Sequence, residues 1–289
     1  MIERRAPRLA IVLGSGGVRS IAALGLFDVL ARERINFDLI VGCSAGAMFG
    51  ALISIGHTAD EATRIAATLW TLEVTRRRRW QAIPQMLWPR LARFDREFSL
   101  RDDRLILERL GMAFGDARLE SLPIPLRVTA TDAETGNTVV YRQGRLVDAL
   151  RASIAMPFMF APHRIDGRLA IDGFVSDPLP VHAAADAADA IIAFGVEAPM
   201  PTRINGPSRM LAQITSAMTN NLMHARLAQA NSSGIRVLPI FPRFERRVGL
   251  FDTGSMPWLV DQGRLTTFAK LDEIRALLDM EGAPTALAA

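Results

Sequence analysis

The pentapeptide at residues 42–46, Gly-Cys-Ser-Ala-Gly, has the residue types and spacing that chemistry at the Ser44 hydroxyl requires. It follows an apolar run at residues 37–41 and precedes a run of helical character at residues 47–55. A G-x-S-x-G sequence between a strand and a helix is typical of a nucleophile elbow, a turn so tight that glycine is needed on both sides of the serine. The serine hydroxyl then projects at the positive end of a helix, which favours developing negative charge. The alternative is an ordinary strand-turn-helix corner built from small residues.

A second glycine-rich stretch, GSGGVR at residues 14–19, lies one predicted strand earlier. Its glycines let several backbone N–H groups point toward one position, which suits either a phosphate or the oxyanion of an acyl-transfer intermediate. The dinucleotide fingerprint requires a glycine where Arg19 stands, and the Walker sequence requires a Gly-Lys-Ser/Thr ending that is absent. The location before a nucleophile elbow favours an oxyanion hole, with a tight strand-helix turn as the alternative.

A serine nucleophile needs a base, and the four histidines are scattered along the chain. His57, at a predicted helix end, is interpreted as a cap, and His182, at an apolar helix start, as a packed residue. His163, on a predicted hairpin, is the best histidine candidate. Asp172 stands out more, because it ends an apolar run and is followed by Gly173, so that its carboxylate can face a pocket at close range. The alternative for this pair is a plain Asp-Gly turn.

The order of the elements predicts an α/β fold with parallel strands and right-handed crossovers. Apolar runs predict strands at residues 9–13, 37–41, 125–131, 137–142, 190–196 and 235–240, and a hairpin at 163–171. Helical spacing predicts helices at 21–34, 47–55, 61–79, 101–110, 146–153, 208–231 and 258–278. Gly263 is predicted to bend or break the last helix. The helix at 208–231 carries apolar residues on one side: Leu211, Ile214, Met218, Leu222 and Leu227.

Composition limits the function classes. The chain has 289 residues, 49% hydrophobic and 22% charged, which is ordinary for a globular protein with a large core. The single cysteine, Cys43, excludes an internal disulfide and a cysteine-based metal site, and the histidines have no metal-ligand spacing. A net charge of +4 is too small to indicate nucleic-acid binding. The first apolar run is too short for a signal peptide, and no stretch is long enough to span a membrane, so we expect a protein of the cytoplasm or of the face of a membrane.

Several ordered blocks of this chain resemble the patatin-like phospholipase family over roughly residues 8–280. The blocks are the glycine loop with its arginine, the pentapeptide, the Asp-Gly pair, Ala130-Thr131-Asp132 with Thr135-Gly136, and the run RASIAMP at residues 151–157 leading into Phe160-Ala161-Pro162. So many matches in the same order make coincidence a poor explanation.

This resemblance implies a three-layer α/β/α sandwich with a mainly parallel central sheet, and ester hydrolysis without a histidine, a metal or a cofactor. Ser44 is then the nucleophile, and Asp172 accepts its proton and later returns it to the leaving alcohol. Because an ordinary aspartate has a pKa of about 3.9, this base must be partly desolvated, which predicts a secluded site. The implied oxyanion-hole residues are Gly16, Gly17 and Val18. The implied supporting residues are Gly14, Arg19, Gly42, Gly46 and Gly173.

Two residues depart from the family pattern. Ser20 stands where the family usually closes the glycine loop with glycine, and Phe174 stands where it usually has glycine or alanine after the Asp-Gly pair. A phenylalanine beside the base could narrow the pocket or form a wall for an acyl chain. Both changes bear on rate and specificity.

Residues 76–98 combine arginines with aromatic and apolar residues, which is typical of a surface that rests on anionic lipid. The residues concerned are Arg76, Arg77, Arg78, Arg79, Trp80 and Trp88. The alternative is a cap packed over the sheet. No linker divides the chain, so residues 1–280 are predicted to form one domain, with a loose tail at 281–289.

The sequence therefore predicts a serine acyl hydrolase that cleaves lipid esters of the phospholipid or lysophospholipid class. Two alternatives stay open: a lipid-binding or regulatory protein of the same fold with little turnover, and an acyltransferase.

Overall fold

The computed structural model describes residues 7–71, 73, 79–80, 82–91, 93–249 and 252–278. Within these ranges one sheet contains eight strands: β1 (Leu9–Leu13), β2 (Leu39–Cys43), β3 (Leu126–Asp132), β4 (Thr138–Tyr141), β5 (His163–Ile165), β6 (Arg168–Asp172), β7 (Ala190–Phe194) and β8 (Val237–Ile240). The described helices are α1 (Ala22–Arg32), α2 (Ala45–Ser54), α3 (Ala59–Leu69), α4 (Ala82–Leu87), α5 (Arg104–Phe114), α6 (Leu146–Ser153), α7 (Pro207–Ser232), α8 (Met256–Ala269) and α9 (Leu271–Leu278).

The sheet has a parallel centre and an antiparallel end. Its order is β5-β6-β3-β2-β1-β7-β8, and β4 also pairs with β3. Strands β3, β2, β1, β7 and β8 run parallel, whereas β4, β5 and β6 are antiparallel to their neighbours. Strands β1 and β7 are apolar along their whole length and buried, as expected for parallel strands covered on both faces.

Helices cover both faces of the sheet. Successive side chains of a strand point to opposite faces, and β1 sends Ile11 and Leu13 into one core and Ala10 and Val12 into the other. The first core is formed with helices including α1, α2, α6 and α8, and the second with α7 and the turn at Val181–Ala183. The predicted α/β/α sandwich with a mainly parallel sheet is therefore confirmed.

Strands β2 and β6 share one edge of β3 and meet end to end. Strand β2 pairs with the first part of β3 up to Thr129, and β6 pairs antiparallel with the remainder from Ala130. The amide of Ile40 donates to the Pro125 carbonyl and that of Ala133 to the Leu169 carbonyl, so both neighbours lie on the same side of β3. The carboxyl ends of β2 and β6 consequently face each other across the Thr129–Ala130 step.

Gly263 does not break the closing helix, contrary to the prediction. It lies inside α8, and the break falls at Lys270, between α8 and α9. A Cβ on Gly263 would lie 1.8 Å from the Ala22 carbonyl oxygen of α1. The glycine is needed because the two helix backbones touch there.

Two other helix predictions are wrong in extent. The helix predicted over 61–79 ends at Leu69, because Trp70 leaves helical geometry (φ −111°, ψ 83°) and its side chain is buried in the core. Residues 80–98, for which no helix was predicted, contain α4. Residues 74–78 lie outside the described part of the chain.

The apolar side predicted for the helix at 208–231 is not the side that packs. Only Leu227 of the predicted set is buried, and its buried companions are Met223 and Ala230. In the N-terminal half of α7 the contacts to the body are polar. The Ser216 hydroxyl donates to the Pro199 carbonyl at 3.3 Å, and the Asn220 side chain bonds the backbone N–H and carbonyl of Ala198. The apolar residues of this half are left exposed.

Candidate active site

Ser44 occupies a sharp turn between β2 and α2. Its backbone angles are φ 56° and ψ −128°, a conformation that costs energy in any residue with a side chain. A Cβ on Gly42 would lie 2.3 Å from the Ala47 Cα, and a Cβ on Gly46 would lie 2.5 Å from the Gly14 carbonyl oxygen. Glycine at both positions therefore lets α2 begin directly against the ends of β1 and β2.

The Ser44 and Asp172 side chains are in direct contact. The Ser44 Oγ donates a hydrogen bond of 2.7 Å to Oδ2 of Asp172, and the Phe174 N–H donates one of 3.0 Å to Oδ1. The contact is secluded, since Ser44 is 8% exposed and Asp172 is 1% exposed. It follows from the end-to-end meeting of the strands: Ser44 is the first residue after β2, and Asp172 is the last residue of β6.

Burial changes the acid strength of Asp172. Removal from water raises the pKa of its carboxyl group from 3.8 to about 7, and the hydrogen bonds from Phe174 and Ser44 oppose this only in part. A carboxyl group with a pKa near neutrality can both accept and return a proton at physiological pH.

Ser153, the last residue of α6, lies in the gap between the ends of β2 and β6. Its fully buried hydroxyl accepts a 2.8 Å hydrogen bond from the Ser44 N–H and donates one of 2.7 Å to the Thr129 carbonyl. In a continuous strand a backbone N–H would bond the Thr129 carbonyl. At this gap neither β2 nor β6 provides that N–H, and the Ser153 hydroxyl donates to the carbonyl instead. Ser153 appears in the RASIAMP block, but its residue type alone carries no signal for this role.

The first two N–H groups of the glycine loop have backbone acceptors, whereas those of Gly17 and Val18 have none among the described residues. The Gly14 N–H donates to the Phe194 carbonyl at 2.9 Å and the Ser15 N–H donates to the Pro178 carbonyl at 2.8 Å, so the start of the loop is tied to the sheet. A 3-10 turn begins at Gly17, which has a φ of 61°. The N–H groups of Gly17 and Val18 fall in its first turn, where a helix offers no backbone acceptor.

Arg19 and Ser20 hold the loop from behind. The buried Arg19 guanidinium donates to the Gly16 carbonyl at 3.2 Å and to the Glu197 carbonyl at 3.0 Å. Because the C=O and N–H of a trans peptide point in opposite directions, this contact turns the Gly17 N–H away from Arg19. Burial lowers the pKa of Arg19 to about 10, so it stays charged at neutral pH. The Ser20 hydroxyl donates to the Gly14 carbonyl at 3.1 Å.

The histidine candidates make other contacts. His163 lies 3.5 Å from Asp148, and burial lowers its pKa. The Nε2 of His182 is buried without a hydrogen-bond partner among the described residues. His224 bonds Glu197. The acceptor of the Ser44 hydroxyl is Asp172.

A second buried carboxyl group, Asp177, was not among the sequence candidates. It is 5% exposed, and burial raises its pKa to about 6, opposed by Arg226 at 3.8 Å. Burial and the charges of Asp172 and Asp177 raise the pKa of the Cys43 thiol well above its usual value. Cys43 is therefore an inert filler, and nothing in the local sequence distinguishes Asp177 from a surface aspartate.

The remaining family blocks maintain the framework. The Asp132 carboxylate accepts the N–H groups of Glu134 and Thr135, each at 2.9 Å, and closes the turn between β3 and β4. The buried Arg151 side chain donates to the Ala161 carbonyl at 2.7 Å and also contacts Asp103.

The tryptophans predicted to meet lipid are on the surface. Trp80 is 72% exposed and Trp88 is 60% exposed, and Arg79 donates to the Glu97 carbonyl at 3.2 Å. Arg76, Arg77 and Arg78 lie outside the described residues. Among the helices that are described, none combines the length and apolar character needed to cross a bilayer.

The fold and the paired side chains define an α/β sandwich with a serine-carboxylate contact after a central parallel strand. The profile of the patatin-like phospholipase family matches residues 11–185, and the chain belongs to this family.

Three similar proteins illustrate the relationship. An NTE family protein of Mycobacterium tuberculosis is 39% identical over 175 residues, which cover 61% of this chain and 45% of the relative. A lysophospholipase of Eremothecium gossypii is 25% identical over 177 residues, covering 60% of this chain and 11% of that protein. The chain thus spans less than half the length of these relatives. The crystal structure of VipD from Legionella pneumophila has the same fold, with a TM-score of 0.52 and 17% identity, covering 93% of this chain and 67% of VipD.

Replacing Ser153 with alanine is expected to lower the free energy of unfolding by about 1 to 3 kcal/mol, because the Ser44 N–H and the Thr129 carbonyl lose their buried partner. The matched control is Ser54→Ala, since the Ser54 hydroxyl is equally buried and has no hydrogen-bond partner among the described residues. Urea unfolding of both variants measures the difference. Equal stabilities would contradict the bridging role of Ser153.

Proposed function

We propose that this protein is a serine acyl hydrolase that cleaves carboxylic esters of phospholipids or lysophospholipids. The observation that carries the proposal is the buried 2.7 Å hydrogen bond from the Ser44 hydroxyl to the Asp172 carboxylate. Membership of the patatin-like phospholipase family and the name of the Eremothecium relative, a lysophospholipase, support a lipid ester as the substrate.

In the first half of the reaction, the Ser44 Oγ attacks the ester carbonyl carbon and its proton passes to Oδ2 of Asp172. The carbonyl oxygen becomes an oxyanion. When this intermediate collapses, the bond to the alcohol oxygen breaks, and the alcohol leaves with the proton returned by Asp172. The product is an acyl group on Ser44.

The oxyanion is stabilised by backbone N–H groups of the glycine loop, for which Gly16, Gly17 and Val18 are the candidates. Donors fixed before the reaction starts are effective because they need no reorganisation as charge develops. Arg19 and Ser20 support this role by fixing carbonyls of the same loop. The N-terminal end of α2, which begins at Ala45, adds a favourable dipole beside the reacting serine.

In the second half, water attacks the acyl carbon while Asp172 takes one of its protons. Collapse of this intermediate breaks the bond to Ser44 Oγ, which regains the proton, and the fatty acid leaves. An alcohol in place of water would give acyl transfer from the same acyl-enzyme, and product analysis separates the two outcomes.

The two departures from the family pattern do not favour a protein with little turnover. Ser20 adds a hydrogen bond that holds the glycine loop, and Phe174 leaves in place the backbone N–H that glycine or alanine would also give to the Asp172 carboxylate. Both residues therefore fit a working site.

Hydrolysis by three variants tests the proposal. Ser44→Ala is expected to reduce activity to background, and Asp172→Asn is expected to lower kcat by about 10²- to 10⁴-fold because the general base is lost. His163→Gln, the matched control, should retain activity. The measurement is fatty acid released from lysophosphatidylcholine and from phosphatidylcholine, read by mass spectrometry. Full activity in Asp172→Asn, or loss in His163→Gln, would contradict the assignment of the base.

We further propose that residues 79–94, here called the Trp-Arg segment, rest on the lipid surface. The large apolar side chains of this segment are half-exposed or more: Trp80, Ile83, Met86, Leu87, Trp88, Leu91 and Phe94. The segment contains three arginines and no acidic residue.

A series of contacts connects the Trp-Arg segment to the active site. The ring of Phe94, the last residue of the segment, lies 5.0 Å from that of Phe98, which lies 6.4 Å from that of Phe158. The Leu100 N–H donates to the Phe158 carbonyl at 2.8 Å. Three residues before Phe158, the Ala155 carbonyl accepts the Asp172 N–H at 3.0 Å. These contacts connect the segment to the backbone of the reacting aspartate.

The double variant Trp80→Ser with Trp88→Ser is expected to lower hydrolysis of anionic vesicle lipid by about fivefold or more, because two interfacial aromatic anchors are removed. Hydrolysis of a soluble short-chain ester should not change. Met112→Ser with Leu265→Ser, at exposed apolar residues elsewhere, is the control. Equal losses on both substrates would show a damaged site and contradict a role in lipid contact.

A further inference from the structure

Helix α7 exposes an apolar stripe on the face that points away from the protein body. We call Met210, Leu211, Ile214 and Met218 the α7 stripe; their exposures are 54%, 62%, 50% and 66%. Spacings of three and four residues place them on one side of the helix. The opposite side makes the contacts with the body, through Ser216, Asn220, Met223, Leu227 and Ala230.

The α7 stripe contributes nothing to the core. Scattered apolar residues are normal on a surface, but four large ones in a row over two turns of a helix mark a contact site. Two further exposed apolar residues, Met200 and Ile204, lie in the loop that leads into α7. Within the described part of the chain nothing covers the stripe, which is therefore a face available to an occupant.

The charges around the α7 stripe identify the occupant. Residues 198–244 contain five arginines and not one aspartate or glutamate. Two of these arginines are exposed at the N-terminal end of the stripe: Arg203 lies in the loop before α7, and Arg209 lies in the first turn of the helix, one residue before Met210. An apolar helical face bordered by arginine fits an anionic lipid surface, which attracts the guanidinium groups and accepts the apolar side chains. A second copy of the chain fits poorly, because a two-fold interface would bring the exposed arginines of two copies together, and residues 198–244 contain no carboxylate to pair with them.

The α7 stripe lies at the carboxyl edge of the sheet, as Ser44 does. The Asn220 side chain bonds both backbone groups of Ala198, at 2.8 and 3.0 Å, which fixes this half of α7 to the loop after β7. The neighbouring Glu197 carbonyl accepts the Arg19 guanidinium of the glycine loop at 3.0 Å. The stripe is thus connected rigidly to the loop beside Ser44.

We propose that the α7 stripe, with Arg203 and Arg209, is a docking surface for an anionic lipid bilayer. The apolar side chains enter the boundary between head groups and acyl chains, and the arginines bind the phosphates. This surface is separate from the Trp-Arg segment, and its test does not depend on hydrolysis because it is carried out in Ser44→Ala protein.

A site-specific probe gives the first test. Cys43 is fully buried, so an added cysteine can be labelled selectively with a polarity-sensitive dye. With vesicles of phosphatidylglycerol and phosphatidylcholine, dye at Ile214→Cys is expected to shift to shorter emission wavelength, whereas dye at Met112→Cys should not. Pure phosphatidylcholine should give a weaker shift. An unchanged spectrum at Ile214→Cys would overturn the proposal.

Loss of binding gives the second test. Met210→Ser, Ile214→Ser and Met218→Ser together are expected to weaken co-sedimentation with anionic vesicles by about tenfold or more, because three inserted apolar groups are lost. The control carries Met112→Ser, Leu265→Ser and Phe268→Ser, also at exposed positions.

Light scattering gives the oligomeric state of each variant. Unchanged vesicle binding by the α7 triple variant overturns the proposal. So does conversion of a dimer to a monomer with vesicle binding retained, because a second copy would then cover the stripe.

Discussion

The structure depends on the end-to-end meeting of β2 and β6 along one edge of β3. Strand β3 has seven residues and is longer than either partner, so each partner covers only part of it. The two carboxyl ends come together from opposite directions, and this pairing, with the sharp turn at Ser44, places Ser44 and Asp172 in contact. Ser153 fills the resulting gap and bonds the backbone on both sides. The sheet therefore holds the Ser44 Oγ 2.7 Å from Oδ2 of Asp172 without relying on a flexible loop.

Burial at the same junction raises the pKa of Asp172 and lowers the free energy of unfolding at neutral pH. Burial raises the pKa of the carboxyl group to about 7 in the folded protein, above the value of 3.8 for an exposed aspartate. Between these values the folded state holds a proton that the unfolded state has released, so the contribution of this group to stability falls as the pH rises through the interval. This group therefore stabilises the folded state least at the pH where its carboxylate can act as a base. The strained backbone of Ser44 adds a further cost, which the surrounding core of the sheet outweighs.

Local sequence patterns were enough to predict the parts that depend on neighbouring residues. The pentapeptide at 42–46, the glycine loop and the strand ending in Asp172 each have a residue pattern with a physical reason, and their order predicts the sandwich. The errors occur where a local pattern carries no information about which residues of another element pack against it. Gly263 serves a close helix contact with Ala22 rather than a bend, and the apolar side of α7 in its N-terminal half faces outward. Ser153 and Asp177 gave no signal, because their roles come from residues distant in the chain.

The rate at which a fluorophosphonate labels Ser44, measured between pH 5 and pH 9, tests the central claim most directly. If Asp172 in its buried contact is the base, the rate should rise about tenfold per pH unit at low pH and level off above about pH 7, since only the ionised carboxylate accepts the serine proton. In Asp172→Asn the rate should be low at every pH. A rate that does not depend on Asp172, or a pH dependence that disappears in His163→Gln, would contradict the account.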